Sequence, residues 1–181
     1  MSHSVFAKDP AVFITEITKT ASDILQEDIS IDKKAEKLTL IARNAVDIEG
    51  IGLYSLGKYR KSINNDQLER YKLIFNEYFL KSFSSRLSQY SDPKIIVMSQ
   101  NVINEKYTIV SSILVETSER PEIKIDWRVY TINPNKPLIR DLIIEGLSLA
   151  RTQKEEFNSV IQGADGDINA LLSNLENFNS K

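Results

Sequence analysis

The 181-residue chain contains no cysteine and only one histidine, His3. Without cysteine there is no disulfide, no thiolate nucleophile and no cysteine-ligated metal. His3 lies in residues 1–8, an N-terminal stretch that we expect to be disordered. A histidine general base, a nucleophilic triad and a histidine-rich metal site are therefore not expected. The sequence predicts neither a cofactor nor a metal ion.

Other common signals are also missing. No apolar run approaches the roughly 18 residues of a membrane span, and the first residues contain no secretory apolar segment. The chain is thus expected to be cytosolic or to begin at an engineered or mature N-terminus. The nucleotide-binding glycine motifs are absent, and Asp165 and Asp167 lack the other ligands of a calcium loop. The formal net charge of −2 gives no overall attraction to nucleic acid or acidic membranes, although local basic patches remain possible.

What the sequence does contain is centred on residues 138–157, where an apolar, β-rich run leads into a helical pattern. Gly146 breaks the run, and Ser148 is a suitable N-cap for the helix that follows. Hydrophobic residues make up 41% of the chain and charged residues 27%, which is ordinary for a globular protein. We therefore expect a single domain over residues 1–181.

Apolar residues at helical spacing predict a helical first half. Helices are expected over 9–26, with Asp9 as the N-cap, and over 32–45. A short helix that breaks near Gly57 should follow, and then a long helix over 65–90 that Asn64 or Asn65 can cap. The glycines of the short helix indicate close packing or a C-cap, or else small residues along a cavity wall. The long helix carries an aromatic stripe, which is most often core but could partly face an apolar ligand. Two further helices, over 148–162 and 167–178, close the chain.

Four strands are predicted between these groups of helices, over 94–101, 106–117, 122–131 and 138–145. The connections are short and polar, so neighbouring strands should be antiparallel. The third strand alternates cleanly between apolar and polar residues, whereas the second has apolar residues on both faces and needs cover on both sides. The predicted fold class is α+β, with helices wrapped around a curved four-stranded antiparallel sheet to form a cup with an apolar cavity.

Three carboxylates, Asp47, Asp141 and Glu145, lie in otherwise apolar segments. Such surroundings can shift a pKa and support acid–base chemistry. The structural alternative is that each carboxylate caps a helix, accepts backbone N–H groups or pairs with an arginine such as Arg60 or Arg140.

Several blocks, taken in order, resemble the MlaC family, also called toluene-tolerance periplasmic proteins. The blocks span nearly the whole chain and are Val46-Asp47, Leu56-Gly57-Lys58-Tyr59, Gln67, Phe75, Leu87-Ser88-Gln89-Tyr90, Ile125-Asp126-Trp127-Arg128, Asp141-Leu142-Ile143-Ile144-Glu145-Gly146-Leu147-Ser148-Leu149 and Phe157-Asn158. The chain departs from the family at Pro137, where a Trp is common, and at Gln153, where a Tyr is common.

The resemblance implies a monomeric periplasmic phospholipid carrier with no catalytic residues and a fold similar in outline to nuclear transport factor 2. Such carriers move phospholipid between an outer-membrane lipoprotein–porin complex and an inner-membrane complex of MCE-domain protein and ABC transporter, which maintains outer-membrane lipid asymmetry. Neither nucleic acid nor a cofactor is implied. The family's signal peptide is missing here and is expected to have been removed or replaced.

For the lipid-binding wall we predict the apolar sheet face together with the aromatic helix stripe. The predicted residues are Leu53, Leu56, Phe75, Phe79, Val110, Leu114, Ile125, Trp127, Ile143 and Leu147. Lys58, Tyr59 and Arg60 are expected near the lipid head group, or as solvated surface. Two other functions remain open: an interaction domain with a filled core, and an enzyme for an apolar substrate in which Asp47, Asp141 or Glu145 points into the pocket.

Overall fold

The computed structural model describes residues 8–181, in which helices lie against one face of an antiparallel sheet. His3 and most of the N-terminal stretch that we expect to be disordered lie outside the described residues. Lys8, the first described residue, donates its backbone N–H to the carbonyl of Pro134 at 2.9 Å.

The helices have close to their predicted bounds. They are α1 Pro10–Gln26, α2 Ile31–Ala45, α3 Ile48–Ser55, α4 Asn65–Leu87, α5 Leu149–Gly163 and α6 Ile168–Asn179, with a 3-10 helix at Gly57–Lys61 between α3 and α4. Each α-helix begins at a side chain that accepts a backbone N–H from the first turn. The predicted caps Asp9, Asn64 and Ser148 are confirmed. Local capping chemistry therefore sets where the helices start.

The sheet has five strands in sequence order, and all neighbours are antiparallel. They are β1 Ile95–Asn104, β2 Tyr107–Leu114, β3 Ile123–Tyr130, β4 Leu138–Ile144 and β5 Leu147–Ser148. The α+β class is confirmed, but the predicted count of four strands is wrong by one. Glu145 and Gly146 adopt positive φ angles of 48° and 82°. The tight turn that they form lets β5 pair with the end of β4 before α5 begins.

The two faces of the sheet differ in burial. On the inner face, Val110 lies opposite Trp127 and Thr108 lies opposite Val129, and both valines are fully buried. On the outer face, Ile109 and Ile113 are only half-buried. The cover that we expected on both sides of β2 is therefore complete only on the inner face.

Close packing of α3 on α4 depends on Gly52. A Cβ atom at Gly52 would lie 2.7 Å from Cδ1 of Phe75, which is too close for any residue larger than glycine without a shift. The Tyr71 hydroxyl donates to the Gly52 carbonyl at 2.8 Å. Gly57 has a φ angle of +54° at the end of α3, a conformation that favours glycine. Close packing against Phe75 thus accounts for Gly52, which also lines the pocket between α3 and α4, and a helix C-terminus accounts for Gly57.

Burial of Tyr71 predicts a loss of stability at alkaline pH. Burial, with a smaller contribution from Tyr78, raises the pKa of Tyr71 well above its ordinary value of 10.0. The folded protein therefore keeps this phenol neutral, while the unfolded chain ionises above about pH 10. The free energy of unfolding should fall above that pH, by up to about 1.4 kcal/mol per pH unit from this group.

Urea unfolding of the wild type and of Tyr71→Phe between pH 9 and pH 11 measures this effect. At pH 9 the variant should be less stable by about 1 kcal/mol, because it lacks the hydrogen bond to Gly52. Its stability should fall less steeply above pH 10. Equal slopes for the two proteins would mean that Tyr71 is not the group responsible.

Candidate functional site

Five predicted wall residues meet in one hydrophobic core between the sheet and the helices. Leu56, Phe75 and Val110 are at most 2% exposed there, and Phe79 and Trp127 are partly buried against the same core. Elements far apart in sequence thus supply one continuous apolar interior. Such an interior fits an ordinary core as well as a lipid-binding wall, so the lipid-binding role of these residues stays a prediction.

The other five predicted wall residues are more scattered. Leu114 and Ile125 are buried on the inner face, and Leu53 lines a surface pocket beside Phe75. Ile143 lies opposite Asp126, and therefore on the outer face. Leu147 is 59% exposed. The structure does not bring these two residues to the interior.

Phe75 is the centre of an aromatic cluster. Its ring centroid lies 5.6 Å from that of Tyr71, 6.1 Å from Phe79 and 6.0 Å from Phe157, which it meets edge-on at 87°. Phe79 stacks on Phe83 at 5.8 Å, and both remain partly exposed. The aromatic stripe of α4 is thus core at Tyr71 and Phe75, whereas Phe79 and Phe83 keep a surface that another apolar group could contact.

Two pockets stand out in the described part of the chain, and both open to solvent. One, of about 310 Å³, lies between α3 and α4 beside Leu53. The other, of about 410 Å³, lies between α1, α2 and the β3–β4 connection, and Pro137 is part of its lining. Pockets of roughly 300–1,000 Å³ suit drug-sized ligands, and a diacyl phospholipid is larger. Neither of these two pockets could hold a whole phospholipid, and the core around Leu56, Phe75 and Val110 is closely packed in this conformation.

The candidate catalytic carboxylates have structural partners. Asp47 accepts the backbone N–H of Gly50 at 2.9 Å at the start of α3, and Arg140 Nε donates to it at 2.6 Å. Glu145 accepts the backbone N–H of Lys124. Asp47 thus caps a helix and Glu145 supports a strand connection, and neither is directed at a pocket.

Asp141 is 7% exposed and joins β4 to α5. It accepts the Ala150 N–H at 2.9 Å and the Ser148 hydroxyl at 2.5 Å, while Ser148 itself caps the helix by accepting the N–H of Arg151. Because the Asp141 carboxylate is buried and accepts hydrogen bonds at the start of α5, it is unsuited to proton transfer with a substrate. The enzyme hypothesis therefore has no geometric basis. The residues from 8 to 181 also hold no cluster of side chains suited to a metal ion.

Sequence reasoning named Arg140 as a possible partner of Asp47 and missed its two aromatic neighbours. The guanidinium lies 3.8 Å from the ring centroid of Tyr130, and Nη1 donates to the Tyr107 hydroxyl at 2.8 Å. Tyr107 and Tyr130 are the first pair in the β2–β3 register. The pairing of Tyr107 with Tyr130 follows from the β2–β3 hairpin. Arg140 belongs to the next strand, so its contact with the two rings can be predicted only when the register of β4 is known.

The residues predicted near a head group stay at the surface. Lys58 and Arg60 are exposed on the 3-10 helix, and the Lys58 ammonium lies 5.0 Å from the ring centroid of Tyr59. Asn158, the last residue of the blocks that resemble the family, connects this region to α5. Its side-chain amide donates to the carbonyls of Ser55 and Leu56 at 3.2 and 3.4 Å.

Comparison with known proteins shows the family of this chain and solved structures with a similar fold. The sequence profile of the MlaC protein family matches residues 15–177, and no curated protein matches significantly. Among solved structures, a phospholipid-binding protein from Ralstonia solanacearum, determined in complex with a phospholipid, superposes with a TM-score of 0.78 at 16% sequence identity. The match covers 96% of this chain and 98% of that protein. Within residues 8–181, no helix has the length and hydropathy needed to cross a membrane.

Proposed function

The chain belongs to the MlaC family, and we propose that it is a phospholipid carrier that holds acyl chains between its sheet and its helices. The family is one of lipid carriers without enzymatic activity. The observation that carries the proposal is the family match over residues 15–177. The fold shared with a protein that was crystallised with phospholipid supports it.

The inner sheet face and α4 are the proposed wall. Val110, Leu114 and Ile125 present aliphatic side chains from the sheet, and Phe79 presents a half-buried ring from α4. Acyl chains require only such apolar surface, because they carry no group that needs a titratable partner. The structural roles of Asp47 and Asp141 are consistent with a site of this kind.

Because the core around Leu56, Phe75 and Val110 is closely packed, acyl chains can enter it only if the helices and the sheet move apart. Packed layers can separate by hinge or shear movements. Each buried CH₂ contributes roughly 0.8 kcal/mol, so two acyl chains could exceed the ceiling of about 20 kcal/mol for non-covalent binding before costs are subtracted. Release would then be slow unless a partner stabilises the open form.

The family context extends the proposal to the cell. The carrier works in the periplasm and exchanges lipid with the complexes of the outer and inner membranes named above. It acts as a monomer, since one chain supplies both the sheet and the helices that enclose the cargo.

Phospholipid transfer to a lipid-free preparation tests the binding site. The protein is incubated with vesicles that contain fluorescent phospholipid and is then separated from them. The fluorescence of the lipid bound to the protein is measured. Phe79→Asp should reduce the transferred lipid by at least about 10-fold, because it places a carboxylate in the apolar wall. Leu73→Asp is the matched control, since Leu73 lies on the same helix and is 72% exposed.

Equal transfer to both variants and the wild type would contradict the proposed wall. No transfer to the wild type would favour an interaction domain, for which a filled interior is the expected resting state. Circular dichroism of both variants separates loss of binding from loss of the fold.

A further inference from the structure

One surface of the protein carries several lysines and arginines, although the whole chain is slightly acidic and the exposed carboxylates Glu155 and Glu156 lie beside this surface on α5. Residues 50–65 contain Lys58, Arg60 and Lys61 and no carboxylate, in a protein whose formal net charge is −2. The three cations are concentrated in the 3-10 helix Gly57–Lys61 and are all exposed. The charge of this segment is therefore not balanced within the segment itself.

Helix α5 adds to the same surface. The Lys154 ammonium lies 5.1 Å from the ring centroid of Tyr54, a side chain that is 46% exposed at the end of α3. Arg151 lies one helical turn before Lys154 and is also exposed, so the two side chains share a face of α5. We call this surface the basic patch; it consists of Lys58, Arg60, Lys61, Arg151 and Lys154 together with Tyr54 and Tyr59.

The cations of the basic patch have no carboxylate partner among residues 8–181. The ion pairs in that range involve other lysines and arginines, such as Lys72 with Glu49 and Arg70 with Glu176. Instead, Lys58 and Lys154 each lie over a tyrosine ring at about 5 Å. A cation over an aromatic ring keeps its charge available to an external anion, whereas an ion pair does not.

The backbone beneath the patch is fixed. The Asn158 amide binds the carbonyls of Ser55 and Leu56 and that of Lys154. A Cβ atom at Gly57 would lie 2.9 Å from this amide, so the 3-10 helix begins in close contact with α5. The cations from the two segments are thus held on one rigid surface, rather than on a mobile loop.

We propose that the basic patch docks the protein on the surface of a bilayer that contains anionic phospholipids. Clustered lysines and arginines are attracted to the negative surface potential of such membranes. Tyrosines favour the head-group level, where the ring contacts apolar groups and the hydroxyl remains wet. None of the basic-patch residues lines either of the two pockets described above. The inference does not depend on the carrier function, because it concerns attachment to a surface and not uptake of a lipid.

Cosedimentation with vesicles tests the docking proposal. Wild-type protein is mixed with vesicles of phosphatidylglycerol and phosphatidylcholine, or of phosphatidylcholine alone, at low and high salt. Binding should require phosphatidylglycerol and should weaken as the salt concentration rises. The basic-patch variant Lys61→Ala/Arg151→Ala/Lys154→Ala should weaken it on the order of 100-fold, since each charge near the surface contributes about a factor of five.

The matched control is Lys33→Ala/Arg43→Ala/Lys106→Ala, which removes the same charge from exposed residues elsewhere. It should bind almost as well as the wild type. Equal weakening of the two triple variants would overturn the proposal, because binding would then follow net charge and not the basic patch. The proposal would also be overturned if the wild type did not bind phosphatidylglycerol vesicles. This holds even if the basic patch were found to bind an acidic protein.

Phospholipid transfer is measured on the same variants to keep the two proposals separate. The basic-patch variant should still acquire fluorescent phospholipid from detergent-dispersed lipid, because its apolar wall is intact. Loss of vesicle docking with retained uptake supports the docking role. Loss of both would assign the cations to the lipid-binding site and overturn a separate docking surface.

Discussion

Replacing Phe75 by alanine should lower the free energy of unfolding by about 3–5 kcal/mol, the range for removal of a large buried aromatic side chain. Phe75 is 2% exposed and contacts four other aromatic rings. It also covers Gly52, where α3 approaches α4. Its removal leaves a cavity bounded by three helices, and such a cavity is difficult to close by local movement.

Urea or thermal unfolding of Phe75→Ala measures this loss. Leu73→Ala is the matched control, because Leu73 lies two residues away on the same helix with 72% of its side chain exposed. The control should change stability by less than about 0.5 kcal/mol. A loss below about 1.5 kcal/mol for Phe75→Ala would show that the aromatic cluster is not the tightly packed centre of the core.

Replacing Asp141 by alanine should lower the free energy of unfolding by about 3–4 kcal/mol. The change removes two hydrogen bonds to a charged acceptor, each of which contributes about 1.5–3 kcal/mol. It also leaves the buried N–H of Ala150 without its partner and frees the Ser148 hydroxyl from one of its two contacts. The expected consequence is fraying of the first turn of α5 and weaker attachment of that helix to β4.

Asp141→Asn separates capping from charge. The amide oxygen can still accept the Ala150 N–H, and the amide nitrogen can donate to Ser148, so this variant should lose about half as much stability as the alanine variant. Hydrogen exchange should show faster exchange in the first turn of α5 for Asp141→Ala. A loss below about 1 kcal/mol for Asp141→Ala would contradict the structural role, and a catalytic role for this carboxylate would then need a new test.

The sequence was sufficient for the elements that depend on local chemistry. Asp9, Asn64 and Ser148 are cap residues that each precede an apolar helical pattern, and the structure begins helices at each of them. The short polar connections between strands left room only for hairpins, and the sheet is antiparallel throughout. Arg60 and Arg140 were both predicted as possible partners of the carboxylates in apolar segments, and Arg140 pairs with Asp47.

Features that depend on register were not predictable in this way. The pairing of β3 with β4 shifts by one residue between Arg128 and Val129, and Arg140 is the extra residue. Side chains on the two sides of this bulge therefore change faces, which places Ile143 outside the interior. A one-residue shift of this kind leaves no mark in the apolar pattern.

How closely the residues of the interior pack against each other could not be predicted from the sequence either. The same apolar residues can line an empty cup or close against each other. In this structure Leu56 and Val110 are fully buried, together with Phe75 at 2% exposure. Which of the two forms is present depends on the free energy of separating the sheet from the helices, with and without a lipid between them.

Native mass spectrometry of the protein purified from cells, followed by organic extraction and lipid analysis, tests the central claim most directly. The account predicts a mass excess that corresponds to phospholipid, near one molecule per chain, and recovery of that lipid in the extract. A bare mass that persists after incubation with phospholipid vesicles would contradict it. The similarity to the phospholipid-bound protein would then be one of fold alone.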